Sequence, residues 1–512
     1  MSMFSQGERC EVVEGKAKLF FDGEKEAFYN PVQEFNRDLT QLVIDREASV
    51  VQPTDDGEPV AKKAKHGQHE TAPNSGITIL DALSASGLRA LRFAQEVPNV
   101  AGIVANDFSK HAVENIKRNV ENNGLSHLIT PNYGDAIDCM MQHRSMDKRF
   151  HAIDLDPYGS PSIFLDSALQ AVADDGLLMV TATDMGVLCG NTPEACYMKY
   201  NSIPVKNKAC HEIALRMMLK HIDSVANKYG RYITPLLSCS IDFYVRVFVR
   251  VKSSAREAKK SVGKLANVLS CSGCHSLSYQ PIIKHAKTEA GGERWQAPVL
   301  KTTFMNAEGK CSNCESTFHV GGPVYTDPIH DFQFVGRLLQ QLSTLDENNK
   351  LGTTRRLQGF LTVISEELPD APLYYLHDQL MNTVRSSVPK HSLINSAILN
   401  AGYRVSQTHC ASKGIKTDCP LDLLWDIVRK IAADQGVVGD KLSHVVAKNI
   451  LAKQPTHQIN FTLHPKAVAE SKKGEMLRFQ CNKGKNWGPK QKAKSSINNV
   501  NAGFLTKRND TP

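Results

Sequence analysis

The sequence predicts an α/β protein: a mostly parallel sheet with helices in the N-terminal half, followed by a mainly helical C-terminal part. Three observations carry this. From Ile77 onward, short apolar runs alternate with amphipathic stretches, the rhythm of successive βαβ units. Past Val251 that rhythm dissolves into a lysine-rich stretch and two cysteine pairs. From Asp331 the apolar spacing is helical, with Val335, Leu338, Leu339 and Leu342 at i, i+3, i+4 and i+7. A chain of 512 residues exceeds what one core normally supports, so more than one domain is expected.

The elements follow in order. Residues 11–46 are dense in acids, bases and aromatics. Residues 51–75 hold almost no aliphatic side chains and read as a disordered insertion. Inside it Lys62, Lys63 and Lys65 form a basic run that is either a solvated cluster or a nuclear-import address. A buried strand is predicted at Ile77–Asp81, a helix at 87–96, a second strand at 102–106 and a helix at 109–123. In that helix Ser109 is the N-cap, Ala112, Ile116 and Val120 recur every four residues, and Gly124 is the stop. Strands at 151–154, 177–181 and 243–251 and helices at 162–173, 211–226 and 421–433 complete the reading. Residues 466–494 carry nine Lys or Arg against two acids, with Phe479 and Trp487 interleaved. Such a tail is either solvated or binds RNA by neutralising phosphates.

Composition narrows the class. The chain is 41% hydrophobic and 22% charged, with no apolar run of membrane-spanning length, so no membrane partner is expected. The start lacks the apolar core of a signal peptide, and Glu8, Glu11 and Glu14 disfavour a transit peptide. A reducing compartment follows, and clusters among the thirteen cysteines then read as metal sites. Most of the net charge of +8 sits in the 466–494 stretch.

Four constellations carry chemistry. Asp81-Ala-Leu-Ser-Ala-Ser-Gly87 follows a strand, and Asn106-Asp107 ends the next one, 20 residues beyond Gly87. Small residues admit a ligand close to the backbone, and an acid at the second strand tip accepts ribose hydroxyls. One glycine and an acid at the loop mouth suit a cationic nucleoside, S-adenosylmethionine, better than a pyrophosphate; an ordinary βαβ turn is the alternative. Gly134-Asp135-Ala136 falls where a third strand should end, and Asp135 there could accept from an adenine amine or serve a plain turn. Asp154-Leu-Asp156-Pro157-Tyr158-Gly-Ser-Pro161 is the most specific. A carboxylate on a proline-stiffened turn, with an aromatic two residues on, suits an exocyclic amine and the base that bears it. Its alternative is a helix start with Asp156 as N-cap and Pro157 at N1. Last, Cys271-Ser-Gly-Cys274 and Cys311-Ser-Asn-Cys314 supply four thiolates for a closed, structural Zn²⁺ site, leaving His275 and His319 as packing or surface residues.

The runs Phe28-Tyr-Asn-Pro-Val-Gln-Glu-Phe-Asn-Arg-Asp-Leu39, Asp81 to Arg89, Asp154 to Pro161 and Thr183-Asp-Met-Gly-Val-Leu-Cys-Gly190 resemble the tRNA (guanine-26) N2-dimethyltransferase family. The resemblance spans about residues 11 to 480 and implies a class I, Rossmann-like methyltransferase fold, S-adenosylmethionine as donor and the N2 amine of a tRNA guanine as acceptor. It further implies Arg37, Arg89, Asp107, Asp135 and Ala136 as cofactor contacts beside Asp81, and Asp156, Pro157 and Tyr158 around the target base. Tyr158 stands where a phenylalanine would also serve, which leaves stacking intact. The expected division is a methyltransferase domain over 1–255, a zinc-binding insertion over 256–325, a helical tRNA-binding domain over 326–465 and a basic tail over 466–512. A monomer in the nucleus or cytoplasm, with a mitochondrial pool, is expected. Methylation of an exocyclic amine needs no cysteine nucleophile, so Cys189 and Cys196 read as packing residues. The rival readings are an amine methyltransferase with another substrate and a catalytically silent RNA-binding zinc protein.

Overall fold

The computed structural model describes residues 10–21, 29–50, 76–288, 292–346 and 349–480; the 51–75 insertion, Phe28, Trp487 and everything past 480 lie outside them. A hairpin of β1 (Cys10–Glu14) and β2 (Ala17–Phe21) and the helix α1 (Glu34–Val50) precede the main sheet. Seven strands form that sheet: β3 (Ile77–Asp81), β4 (Val100–Asp107), β5 (Ile129–Tyr133), β6 (Phe150–Leu155), β7 (Val172–Ala182), β8 (Arg231–Ile241) and β9 (Tyr244–Ser253). Their order is β5-β4-β3-β6-β7-β9-β8, the first five parallel and β9 antiparallel to both its neighbours. Chain order reverses between β3 and β6, so the switch point of this open sheet lies where Asp81 and Asp154 end adjacent strands.

Strands covered on both faces are apolar almost throughout, and alternate residues divide between two layers. Leu80, Ile153, Leu178 and Val247 face one layer, built by α4 (Ala136–Gln142), α5 (Leu165–Ala171) and α8 (Cys210–Asn227). Ile79, Ala152, Leu177 and Phe248 face the other, where α1, α2 (Leu88–Glu96) and α3 (Lys110–Asn122) lie. The start and stop of α3 follow the sequence: Ser109 Oγ accepts from Ala112 N, and Gly124 takes a φ of 68°. The segment 162–173 departs from its expectation, since the helix ends at Ala171 and the chain turns extended at Val172 to begin β7. Strand β8, absent from the sequence reading, is disguised by Pro235, at which the register to β9 shifts.

Packing does not break at residue 326. The helices α10 (Phe332–Thr344) and α11 (Thr354–Ser365) add Phe334, Leu338, Leu357 and Leu361 to the same layer as α1, and so complete the sheet's second face. The cysteine pairs sit on a three-stranded sheet of β10 (Leu265–Cys271), β11 (Leu277–Pro281) and β14 (Phe318–Tyr325), beside a small hairpin, β12 (Lys284–Lys287) and β13 (Glu293–Gln296). All four cysteines belong to the apolar cluster of the C-terminal helices α12 (His377–Thr383), α13 (His391–Asn400), α14 (Leu421–Asp434) and α15 (Val445–Ala452), and Trp425 Nε1 donates to Ser276 Oγ at 2.9 Å. The C-terminal part also holds a three-stranded sheet of β15 (Tyr375–Leu376), β16 (Val405–Thr408) and β17 (Ala411–Thr417). Buried polar groups tie it to α8 and the main sheet: Lys416 pairs with Glu212 of α8 at 2.7 Å, and Ser240 N of β8 donates to His409 Nε2 at 3.2 Å.

The first part of the basic tail is folded. Ser471 donates from N and Oγ to Glu366 at 2.7 and 2.6 Å, and Asn395 Nδ2 donates to Ala467 O at 2.9 Å. Gly359 leaves room for the Leu477 backbone, whose carbonyl oxygen lies 2.1 Å from where a Cβ would stand. Among the described helices none is long and apolar enough to cross a membrane.

Candidate active site

The carboxyl ends of β3, β4, β5 and β6 bring the sequence-predicted acids to one edge of the sheet. Asp81 and Asp154 stand in register on adjacent strands, both buried. Their partners differ. Asp154 accepts from Arg89 Nη1 and Arg246 Nη2, each at 2.8 Å. Burial opposes its charge, but Arg246 and Arg89 hold its carboxyl below the usual range. Asp81 accepts from Ser84 Oγ at 2.6 Å and, among the described residues, pairs with no guanidinium. Burial, reinforced by the Asp154 charge, pushes it up to about 7. One of two neighbouring carboxylates is thus compensated from within the fold, and the other is not.

The loop after β3 turns through Ala85 and Gly87, with φ of 51° and 82°, a path that favours small residues. Asp107 holds that loop by accepting from Ala85 N at 2.9 Å, and accepts from Ser109 N at 2.8 Å; burial still raises its pKa. Asn106 Nδ2 donates to Ala82 O at 3.0 Å and its Oδ1 accepts from Asn132 at 2.7 Å, stitching three strand ends together. Asp135 caps α4 by accepting from Ile137 N at 2.7 Å, and Ala136 is buried behind it.

Two arginines read as cofactor contacts are placed by other partners. Arg37 donates from Nε to Glu14 Oε1 at 2.6 Å and from Nη2 to Asn30 O at 3.1 Å, and lies over the Tyr29 ring. Glu14 also pairs with Arg92 at 2.9 Å, so Arg37 belongs to a buried ion network under the β1–β2 hairpin. Arg89 forks between Asp154 and Asp156, and so fixes the Asp156–Tyr158 turn to the sheet.

That turn is rigid. Asp156 is half-buried, Pro157 buried, and Tyr158 half-buried with its phenol pushed up to about 12 by burial, so the ring stays neutral. Gly159, at a φ of 82°, donates to Thr183 Oγ1 at 2.7 Å while Thr183 N donates back to Gly159 O at 2.9 Å. Two short helices follow, α6 (Met185–Leu188) and α7 (Pro193–Tyr200). Ser160 Oγ donates to Tyr200 Oη at 3.0 Å, and Tyr200 Oη to Asp184 Oδ1 at 2.6 Å. Sequence reasoning missed Arg246 and Tyr200, and gave Thr183 and Asp184 no role beyond the run that holds them. In Tyr244-Val-Arg-Val-Phe-Val-Arg-Val251 Arg246 shares a face with the half-buried Arg250, so only its burial in the sheet, not the run itself, calls for an internal acid. Cys196 is buried and Cys189 half-buried.

The Sγ atoms of Cys271, Cys274, Cys311 and Cys314 all lie within 4.8 Å of one another, with Cys271 to Cys314 at 3.3 Å and Cys274 to Cys311 at 3.6 Å. Tetrahedral Zn²⁺ with Zn–S near 2.3 Å asks for about 3.8 Å between sulfurs, so the set fits. Each knuckle ends on a left-handed residue, His275 or Glu315, that donates its backbone N–H back to the first cysteine's carbonyl at 3.1 and 2.9 Å. His319 is exposed, His275 is half-buried, and neither belongs to the set.

A family described as N2,N2-dimethylguanosine tRNA methyltransferase matches residues 7–429. The chain belongs to this family. It is 51% identical over 505 residues to the tRNA (guanine(26)-N(2))-dimethyltransferase of Caenorhabditis elegans, covering 96% of this chain and 94% of that one. The mouse enzyme of the same name is 43% identical, covering 94% and 77%. Among solved structures, Trm1 from Pyrococcus horikoshii in complex with S-adenosyl-L-methionine superposes with a TM-score of 0.64 at 29% identity, over 82% of this chain and 99% of that one. The strand order and the acids at the strand ends fit a class I methyltransferase of this family.

Proposed function

We propose that the chain transfers methyl groups from S-adenosylmethionine to the exocyclic N2 amine of guanine 26 in tRNA, giving N2,N2-dimethylguanosine. The observation that carries this reading is the unequal pair at the switch point: Asp154 is neutralised by two arginines, while Asp81, pushed up to about 7, lacks a cation of its own. A buried carboxyl of that kind suits a cationic ligand, and the pyrophosphate of a dinucleotide would be repelled. In this reading Asp81 takes the charged amino-acid end of the cofactor, Asp107 the ribose hydroxyls, and Asp135 with Ala136 the adenine. When bound, S-adenosylmethionine supplies a methyl group already activated on a sulfonium.

The chain's own residues then do the rest by positioning. The guanine N2 lone pair is delocalised into the ring, so the amine attacks well only when held in line. Asp156, oriented by Arg89, accepts one N2 hydrogen, steers the lone pair and takes the departing proton. Tyr158, neutral across the physiological range, stacks on the base. Pro157 keeps the turn from yielding. Zinc on the four cysteines would be structural, because a closed four-sulfur site leaves no open position. The C-terminal helices and the basic tail would grip tRNA.

Mass spectrometry of nucleosides from tRNA incubated with protein and donor tests the reading. Dimethylguanosine is expected from a tRNA with guanine at 26 and none from one with adenine there. Methylation of the second tRNA at another guanine would overturn the site assignment.

A further inference from the structure

A guanine in folded RNA is paired or stacked, so its N2 amine reaches a pocket only after the base leaves its stack. The rim of the acceptor turn carries the means. Ile163, in the helical turn Ser162–Phe164, is 66% exposed, and Tyr197 and Met198 on α7 are 56% and 72% exposed. Helix α7 packs against that turn, and the Ser160–Tyr200 hydrogen bond joins it to the Asp156 loop. Cys196 and Tyr200 anchor α7 inward, which leaves Tyr197 and Met198 outward on a fixed support. A cation stands close by: Lys206, exposed, lays its side chain beside Gly190 in the connection between α6 and α7.

Apolar tips near a lysine, beside the Asp156–Tyr158 turn, fit a nucleic acid whose phosphates meet the cation and whose stack receives the apolar groups. Resting on the tRNA reading above, we propose that Ile163, Tyr197 and Met198 form a wedge. It enters the stack on which the target guanine sits and holds the base extruded toward Asp156 and Tyr158. Tyr197 stacks on the neighbouring base, and Met198 and Ile163 fill the vacated gap.

The test pairs Tyr197→Ala/Met198→Ala with the full-length wild type on three readouts. With 2-aminopurine in place of the target guanine, wild-type binding should raise fluorescence as the base unstacks, and the variant should give less than a third of that rise. Methyl transfer to folded tRNA should fall at least tenfold in the variant. On a tRNA whose target base is flanked by abasic positions, where no stack needs opening, the two proteins should agree within threefold, and S-adenosylhomocysteine affinity should be unchanged. An equal fluorescence rise, or equal loss on both tRNAs, would overturn the wedge. So would a variant that keeps full turnover while losing self-association in sedimentation, since the face would then join copies of the chain. If wild type methylates neither tRNA, the reaction assignment fails, and the fluorescence arm, which needs no turnover, still judges the wedge.

Discussion

Replacing Asp81 by Asn should make the cofactor-free protein more stable and a poorer binder of its donor. Asp81 is buried beside Asp154 with Ser84 as its hydrogen-bond donor, and its pKa stands at about 7 against 3.8 for an unperturbed carboxyl. A folded-state pKa raised above the unfolded one contributes stability that is full at low pH and lost as pH rises through the folded value. The wild type should therefore lose ground to Asp81→Asn by about 1.4 kcal/mol per pH unit between about pH 4 and pH 7, to a plateau of about 4 kcal/mol. Asn keeps the shape and the bond from Ser84 but does not titrate, so the difference between the two isolates this group. Equilibrium denaturation of both cofactor-free proteins from pH 5 to 8.5 is the measurement. Affinity for S-adenosylhomocysteine should move the opposite way. Loss of a charge-assisted hydrogen bond costs about 1.5–3 kcal/mol, so the dissociation constant should rise about 10- to 100-fold. Wild-type affinity should fall below about pH 7, where the carboxyl takes up a proton, while the variant's stays flat. Parallel denaturation curves across the pH range, or equal affinity at pH 8, would refute the argument that Asp81 waits for a cationic ligand.

Asp156→Asn should cut methyl transfer at least 100-fold while S-adenosylhomocysteine affinity stays within threefold, and a collapse of that affinity in calorimetry would move Asp156 into the cofactor shell. Elemental analysis should find one zinc per chain; Cys311→Ser should lose it and unfold at lower denaturant, because a structural metal supplies folding free energy directly. Deleting 481–512 should lower the salt slope of tRNA binding by about 0.7 to 0.9 for each phosphate no longer neutralised. Deleting 466–512 should destabilise the fold, since it strips Ser471 from Glu366 and bares the groove at Gly359. A denaturation midpoint unchanged by that longer deletion would contradict the docking.

Much of the candidate site was legible because its residues sit in short contiguous runs at strand ends, where a period-two apolar run stops and small or acidic residues begin. Asp81, Asp107, Asp135 and Asp156 were all found in this way, and the two cysteine knuckles announced themselves by spacing alone. Arg246 and Tyr200 escaped because their partners, Asp154 and Asp184, lie 92 and 16 residues away and no local pattern marks the pairing. Strand β8 escaped because Pro235 reads as a breaker, whereas at the sheet edge a bulge absorbs it.

By itself the amino-acid sequence determined the strands and helices from Ile77 to about Asn123, the placing of acids at strand ends and the grouping of the four cysteines, since hydrophobic period, turn chemistry and cysteine spacing act over a few residues. Only the tertiary structure decided how the charges are shared. It turned Arg89 into the fork that holds Asp154 and Asp156, paired Arg37 with Glu14, and left Asp81, among the described residues, without an ion-pair partner. It also carried α10 and α11 across the expected boundary to close the second face of the sheet. The reason is the same in each case: a buried charge or an uncovered apolar face is satisfied by whichever partner the fold brings near, and separation along the chain carries no information about which one that is.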